Sequence, residues 1–248
     1  MATPMLDDWL LSLEERLDPV VLFERFVGGD ADPWQRHVLH STSSTIALRV
    51  CRQAGKSCCL ATLAIIEMRR GGTILVICPA ERQAKELARK VREYLPKTDL
   101  RVERSTQTEI ECSNGARLIC VPSTGATIRG YTVSLLLVDE AAFCDDESLI
   151  AVLPMVMDGG RTVFASTPAG RQGMFASLFL DPKPEIERIV VRGTDIPRLA
   201  NRVERLRIAL PPTKFRQEVE VEMLGGGENY FDIAAIEKAV SPMEALCL

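Results

Sequence analysis

Apolar residues in this chain come in short unbroken runs, separated by amphipathic stretches. Ile46 to Val50, Thr73 to Cys78, Leu135 to Val138 and Arg161 to Ser166 form such runs, and Ile186 to Val191 is a further expected strand. A strand buried on both faces has no polar side to alternate with, so such runs predict a central, mostly parallel sheet with helices on its faces. Helical periodicity fills the intervals: Ser57 to Met68, stopped by Gly71-Gly72, then Glu81 to Leu95, a short helix after Gly173, and Ile196 to Ala209 and Pro212 to Met223. Glu109 to Cys112 and Ala116 to Val121 flank Asn114-Gly115, a hairpin turn signal, and this adds an expected β-hairpin at one edge. Upstream, Leu6, Trp9, Leu10 and Leu13 form a helical stripe, Val20 to Val27 a second segment closed by Gly28-Gly29, and Pro33 opens a third. The expected division is a helical segment over 1–44, a core over 45–224, and a glycine linker with one short helix over 225–248.

Chemistry enters where the first run meets its helix, at Cys51-Arg52-Gln53-Ala54-Gly55-Lys56-Ser57. Gly55-Lys56-Ser57 closes a GxxxxGK[ST] pattern. Backbone N–H groups at the helix start wrap a phosphate, the lysine neutralises β/γ charge, and the hydroxyl holds Mg²⁺. Val50 stands where the pattern has its first glycine. A complementary motif ends the run Leu135-Leu136-Leu137-Val138-Asp139-Glu140. An aspartate at the carboxyl end of a buried strand can reach the Mg²⁺ held by Ser57, and the next glutamate can polarise a water aimed at the γ-phosphate. A strand ending in acidic helix-capping residues is the alternative.

Two further stretches are placed by these motifs. Ser166-Thr167-Pro168 ends the 161–166 strand, which in P-loop ATPases with a catalytic glutamate lies between the phosphate-loop strand and the aspartate strand. Thr167 or Ser166 can then sense the γ-phosphate and pass its presence to the turn 169–173, the alternative being a plain turn initiated by Ser-Thr-Pro. Trp34-Gln35 stands just upstream of the loop. Gln35 either hydrogen-bonds an adenine edge, with the ring packing nearby, or lies at the surface while Trp34 anchors the core.

Composition narrows the class. At 248 residues, 46% hydrophobic and 26% charged, the chain suits one large globular core and has no apolar run long enough for a membrane span. Residues 1–13 lack a basic leader region, so a cytoplasmic location without membrane contact is expected. Eight cysteines include no CxxC pair and sit in apolar stretches, which reads as buried free thiols rather than a zinc site. The net charge of −4 makes any nucleic-acid surface local. Candidates are Arg198, Arg202 and Arg205 on one helix face, and Arg82, Lys85, Arg89 and Arg92 on another; with acids interspersed, solvated faces are the plainer reading.

Taken in order, these motifs resemble the large terminase subunit of tailed bacteriophages, the ATP-driven motor that packs DNA into procapsids. Pro33-Trp34-Gln35 looks like its adenine-side motif. Arg52-Gln53-Ala54-Gly55-Lys56-Ser57 is similar to its variant phosphate loop, which lacks the first glycine. Asp139-Glu140 resembles its acidic motif, Ser166-Thr167-Pro168-Ala169-Gly170 its coupling motif, and Phe215-Arg216-Gln217-Glu218 a stretch near the end of its ATPase domain. The resemblance implies a P-loop NTPase fold of the additional-strand, catalytic-glutamate (RecA-like) type, with ATP and Mg²⁺ as cofactors. It implies double-stranded DNA, a homo-oligomeric ring, a portal and a small terminase subunit as partners. Glu140 is then the catalytic residue, Ser57 and Asp139 the metal ligands, and Trp34, Gln35, Arg52 to Ser57 and Thr167 the nucleotide-binding set. Arg52 is the expected cis-acting cation. Arg129 lies in a loop entering the Leu135 strand at its amino end, poorly placed for its own nucleotide, and resembles the arginine offered to a neighbouring subunit. The family's nuclease domain is not expected here, since only 16 residues follow Asp232. A helicase-like translocase and a nucleotide-gated binding module without turnover are the alternatives; Glu140 argues against the second.

Overall fold

The computed structural model describes Glu14 and residues 18–124 and 130–225. Among these, eight strands form one sheet in the order β3-β4-β5-β2-β6-β7-β1-β8. The strands are β1 (Thr45–Val50), β2 (Thr73–Cys78), β3 (Val102–Ser105), β4 (Glu109–Cys112), β5 (Arg117–Pro122), β6 (Val133–Asp139), β7 (Val156–Ser166) and β8 (Ile186–Val191). From β5 to β8 all neighbours are parallel, and β3-β4-β5 is antiparallel at one edge. The strand carrying Ser166 therefore lies between the phosphate-loop strand and the aspartate strand, as expected.

One face of the sheet carries α1 (Pro19–Val27), α2 (Pro33–His40), α3 (Lys56–Arg69) and α4 (Glu81–Tyr94), whose apolar sides join β1, β2 and β5 in one buried cluster. Helix α1 starts with Pro19 behind Asp18, whose carboxylate accepts from Val20 N–H, and stops at Gly28 in the left-handed region. Helix α3 is buried nearly all round, as a helix must be when it runs from a central strand under the sheet. The other face is covered by α5 (Asp146–Val152) and α6 (Met174–Leu180). Helices α7 (Ala200–Ala209) and α8 (Pro212–Glu218) follow β8 and pack beside the phosphate loop.

Several boundaries depart from the sequence reading. Strand β3 was not expected, because all four of its residues are exposed and only pairing with β4 defines it. Strand β7 begins at Val156 rather than residue 161, since its first half is at least partly exposed and is broken by Asp158-Gly159-Gly160, so it carries no apolar run. The hairpin does more than decorate the edge, because β5 pairs parallel with β2 and extends the main sheet. Helix α8 stops at Glu218 rather than continuing to Met223, because Val219 and Val221 turn inward to be buried, Val221 at φ +52°. Residues 1–13 with their expected stripe, the Gly226-Gly227 part of the linker, the segment after it, and Arg129 lie outside the described residues. Among the described residues no helix is long and apolar enough to cross a membrane.

Candidate functional site

Strands β1, β6 and β7 end side by side, which brings three sequence-distant loops together. The loop leaving β1 turns through Gln53 at φ +63° and Gly55 at φ +93° before α3 begins at Lys56. The first four N–H groups of a helix have no intrahelical partner, so the start of α3 offers donors and the positive end of its dipole. Ala54 O accepts from Gln35 Nε2 at 3.3 Å and from Arg198 Nη2 at 2.6 Å. Gln35 Oε1 accepts from Asp32 N–H at 2.8 Å, and Arg198 grips the Asp32 carboxylate through Nε and Nη2. The outer wall of the loop is therefore tied to the start of α2.

This packing explains Gly55. A Cβ there would come within 2.6 Å of Gln35 Nε2, and Gln35 is pinned at both ends of its amide, so it cannot swing away freely. Gly55→Ala is expected to destabilise the fold by about 1–2 kcal/mol through left-handed strain alone. Thermal unfolding checks this, and an unchanged midpoint would contradict it.

Lys56 Nζ reaches inward to Asp139 Oδ1 at 3.1 Å and Glu140 Oε1 at 2.6 Å. Burial pulls the lysine pKa down, but the two carboxylates outweigh burial and hold the pKa above the usual value. Burial pushes the Asp139 carboxyl up, against the pull of Lys56. Asp139 Oδ1 also accepts from Glu140 N–H at 3.0 Å. Glu140 sits at φ +53°, ψ +45°, a conformation a non-glycine residue adopts at a cost of about 1–3 kcal/mol, and its side chain is thereby turned back over the lysine. Ser166 Oγ, fully buried, donates its one hydrogen to Glu140 Oε2 at 3.3 Å or Thr167 O at 2.7 Å, and accepts from Ala142 N–H.

The structure brings Gln53, Ala54, Gly55, Lys56, Ser57, Asp139, Glu140 and Thr167 to these adjoining strand ends. Ser166, weighed together with Thr167, is the residue that touches Glu140. Trp34 is in the core cluster, while Gln35, far from lying at the surface, is 3% exposed against the loop. Arg52 points away from the carboxylates, its Nε 2.5 Å from Glu218 Oε2. Arg198 corrects one expectation: it lies in a 3₁₀ turn ahead of α7 and grips Asp32, so it shares no helix face with Arg202 and Arg205. Of the basic face of α4, Lys85 pairs with Glu81 and Arg89 with Glu86 and Glu93, while Arg92 donates to backbone carbonyls and keeps its charge. The described cysteines are free thiols, Cys51 pushed up to about 11 by burial, and among the described residues no cluster could hold a metal through His, Cys, Asp and Glu alone. That leaves Ser57 and Asp139 as a hydroxyl-and-carboxylate pair suited to an Mg²⁺ that phosphates help to hold.

A phosphate loop on β1, an acidic pair on β6 and a strand between them define a P-loop fold of the RecA-like, catalytic-glutamate class. The family profile described as terminase large subunit, T4likevirus-type, N-terminal, matches residues 50–238, and the chain belongs to that family. No curated protein sequence matches it. Its fold is similar to the large terminase ATPase domain of Thermus phage P74-26, with TM-score 0.71 and 20% identity over 84% of this chain and 99% of that one. It is also similar to the large terminase of bacteriophage HK97, with TM-score 0.66 and 13% identity over 83% of this chain and 54% of that one. A third likeness is to the large terminase of a thermophilic bacteriophage solved with ATP-γ-S, with TM-score 0.64 and 16% identity over 77% of this chain and 52% of that one. The chain thus spans about half the length of the latter two proteins.

Proposed function

We propose that this chain binds Mg-ATP at the Gly55–Ser57 loop, hydrolyses it with Glu140, and couples hydrolysis to movement of double-stranded DNA in a homo-oligomeric ring, in the cytoplasm of an infected cell. The observation that carries the reading is the position of Lys56: a buried ammonium at the mouth of a phosphate loop, paired with both the aspartate and the glutamate that the chemistry needs. The residues fit the group. Lys56 and the α3 N-terminus supply the charge and donors for phosphates, and Ser57 with Asp139 the oxygen ligands for Mg²⁺, which when bound neutralises phosphate charge.

Arrival of phosphates gives Lys56 a stronger partner and releases Glu140 from its ion pair. Glu140 is then free to orient a water and accept its proton, with Ser166 Oγ 3.3 Å from one of its oxygens. Gln35 keeps the loop wall in place through Ala54. The bound ATP-γ-S of the thermophilic-phage relative supports the nucleotide assignment. Coupling to DNA, the portal and a small subunit is carried by family membership, and Arg129 as a finger reaching a neighbouring subunit is carried by the sequence resemblance.

Steady-state ATP turnover, measured with and without duplex DNA alongside mass in solution, tests this reading. Duplex DNA is expected to stimulate turnover in an assembled form, and Arg129→Ala to lose that stimulation and regain part of it when mixed with Glu140→Gln protein. Turnover indifferent to DNA in assembled protein would contradict the motor reading, and strand separation on a tailed duplex would favour a helicase.

A further inference from the structure

Phe215-Arg216-Gln217-Glu218 stands out in the sequence, and the nucleotide site as built so far gives it no task. It occupies α8, and two adjacent side chains of that helix reach two different loops. Gln217 Nε2 donates to Pro168 O at 3.0 Å, in the loop leaving β7 immediately after Ser166-Thr167. Glu218 Oε2 pairs with Arg52 Nε at 2.5 Å, within the phosphate loop. Successive helical residues point about 100° apart, so one short helix can bridge two loops only from a position between them.

The helix is itself fixed in place. Phe215 is buried, with the Arg207 guanidinium 4.7 Å from its ring centroid. Just past the helix, Val219 O accepts from Gly193 N–H at 2.7 Å, and a Cβ on Gly193 would come within 2.8 Å of the Val219 side chain. The end of α8 is thus seated on the turn that follows β8.

We infer that α8 is a positioning element for the hydrolytic site, Gln217 holding the loop that aims Ser166 at Glu140, and Glu218 holding Arg52 away from the phosphates until they compete for it. This rests on the nucleotide-site reading above. Freeing the Pro168 carbonyl loosens the chain two residues from Ser166, whose Oγ lies 3.3 Å from Glu140 Oε2 and 2.7 Å from Thr167 O, and so shifts the hydroxyl between these two acceptors. That lowers the rate of chemistry rather than affinity. The Arg52–Glu218 pair acts on binding instead, because Arg52 must leave Glu218 to meet phosphate. The arginine side chain is 62% exposed, so solvent keeps the pair weak.

The test uses isosteric variants of the whole chain. Gln217→Glu keeps length and removes the donor, and is expected to lower kcat about three- to ten-fold with KM nearly unchanged. Gln217→Met, should the glutamate variant not fold, carries the same expectation. Glu218→Gln is expected to lower KM for ATP about two- to five-fold at unchanged kcat. A wild-type chain that neither binds nor hydrolyses Mg-ATP sinks the underlying nucleotide reading. A wild type that turns over ATP while the Gln217 variant keeps parental kcat, or Glu218→Gln keeps or raises KM, overturns the role given to α8. Matched thermal midpoints separate these outcomes from a general loss of packing.

Discussion

Lys56→Ala is expected to yield a chain that no longer holds ATP at useful concentrations, with affinity lower by about 100-fold or more, the effect of removing a charged donor from the proposed phosphate site. The same substitution strikes the fold. Asp139 and Glu140 are adjacent carboxylates, Asp139 being buried, and Lys56 is the cation between them. Stripping one partner from a buried pair leaves uncompensated charge and costs on the order of 3 kcal/mol at neutral pH. The pH dependence has a definite sign. A carboxyl held above its ordinary 3.8 binds more protons folded than unfolded, so stability falls as pH rises from 3.8 through its raised folded value. Without Lys56 that value rises further, and the variant should lose less stability in mild acid than at neutral pH. In the parent, the part contributed by Lys56 itself is present below 10.5 and lost only as pH climbs past its raised folded value. Unfolding at two pH values and a nucleotide titration check both effects, and parental ATP affinity would contradict the assignment.

The central strands and the motifs at their ends were legible because burial on both faces leaves short apolar runs, bounded here by turn residues and motif residues. Thr73–Cys78 emerges with the boundaries its apolar run suggests, buried at every residue after the first. The order of strands around Ser166 was legible by resemblance, since P-loop ATPases with a catalytic glutamate place such a strand between the other two. Strand β3 was illegible for the converse reason, being solvated on both sides and dependent on β4 alone. The role of Arg198 was hidden by its neighbours: read with Arg202 and Arg205 it completes a helical face, whereas a 3₁₀ turn carries it instead to Asp32 and Ala54. Nothing local to an arginine announces a partner 166 positions away. Gln217 and Glu218 were noticed as part of a motif, yet their contacts depend on where α8 stops, and that is decided by Val219 and Val221 seeking the core.

Glu140→Gln is expected to separate binding from chemistry. The amide keeps the size of the side chain and can still meet Ser166, but it cannot accept a proton from water, so turnover should fall by about 10²- to 10⁴-fold. Loss of one negative charge beside Lys56 should leave ATP affinity equal to the parent's or higher, because the lysine has one competitor fewer. The left-handed backbone at Glu140 tolerates glutamine no worse than glutamate, which makes the comparison fair. The decisive measurement is single-turnover hydrolysis of Mg-ATP at saturating protein, with wild type and Glu140→Gln side by side. The account predicts that both hold ATP and only the wild type releases phosphate on the assay's timescale; equal rates of phosphate release from the two would contradict it.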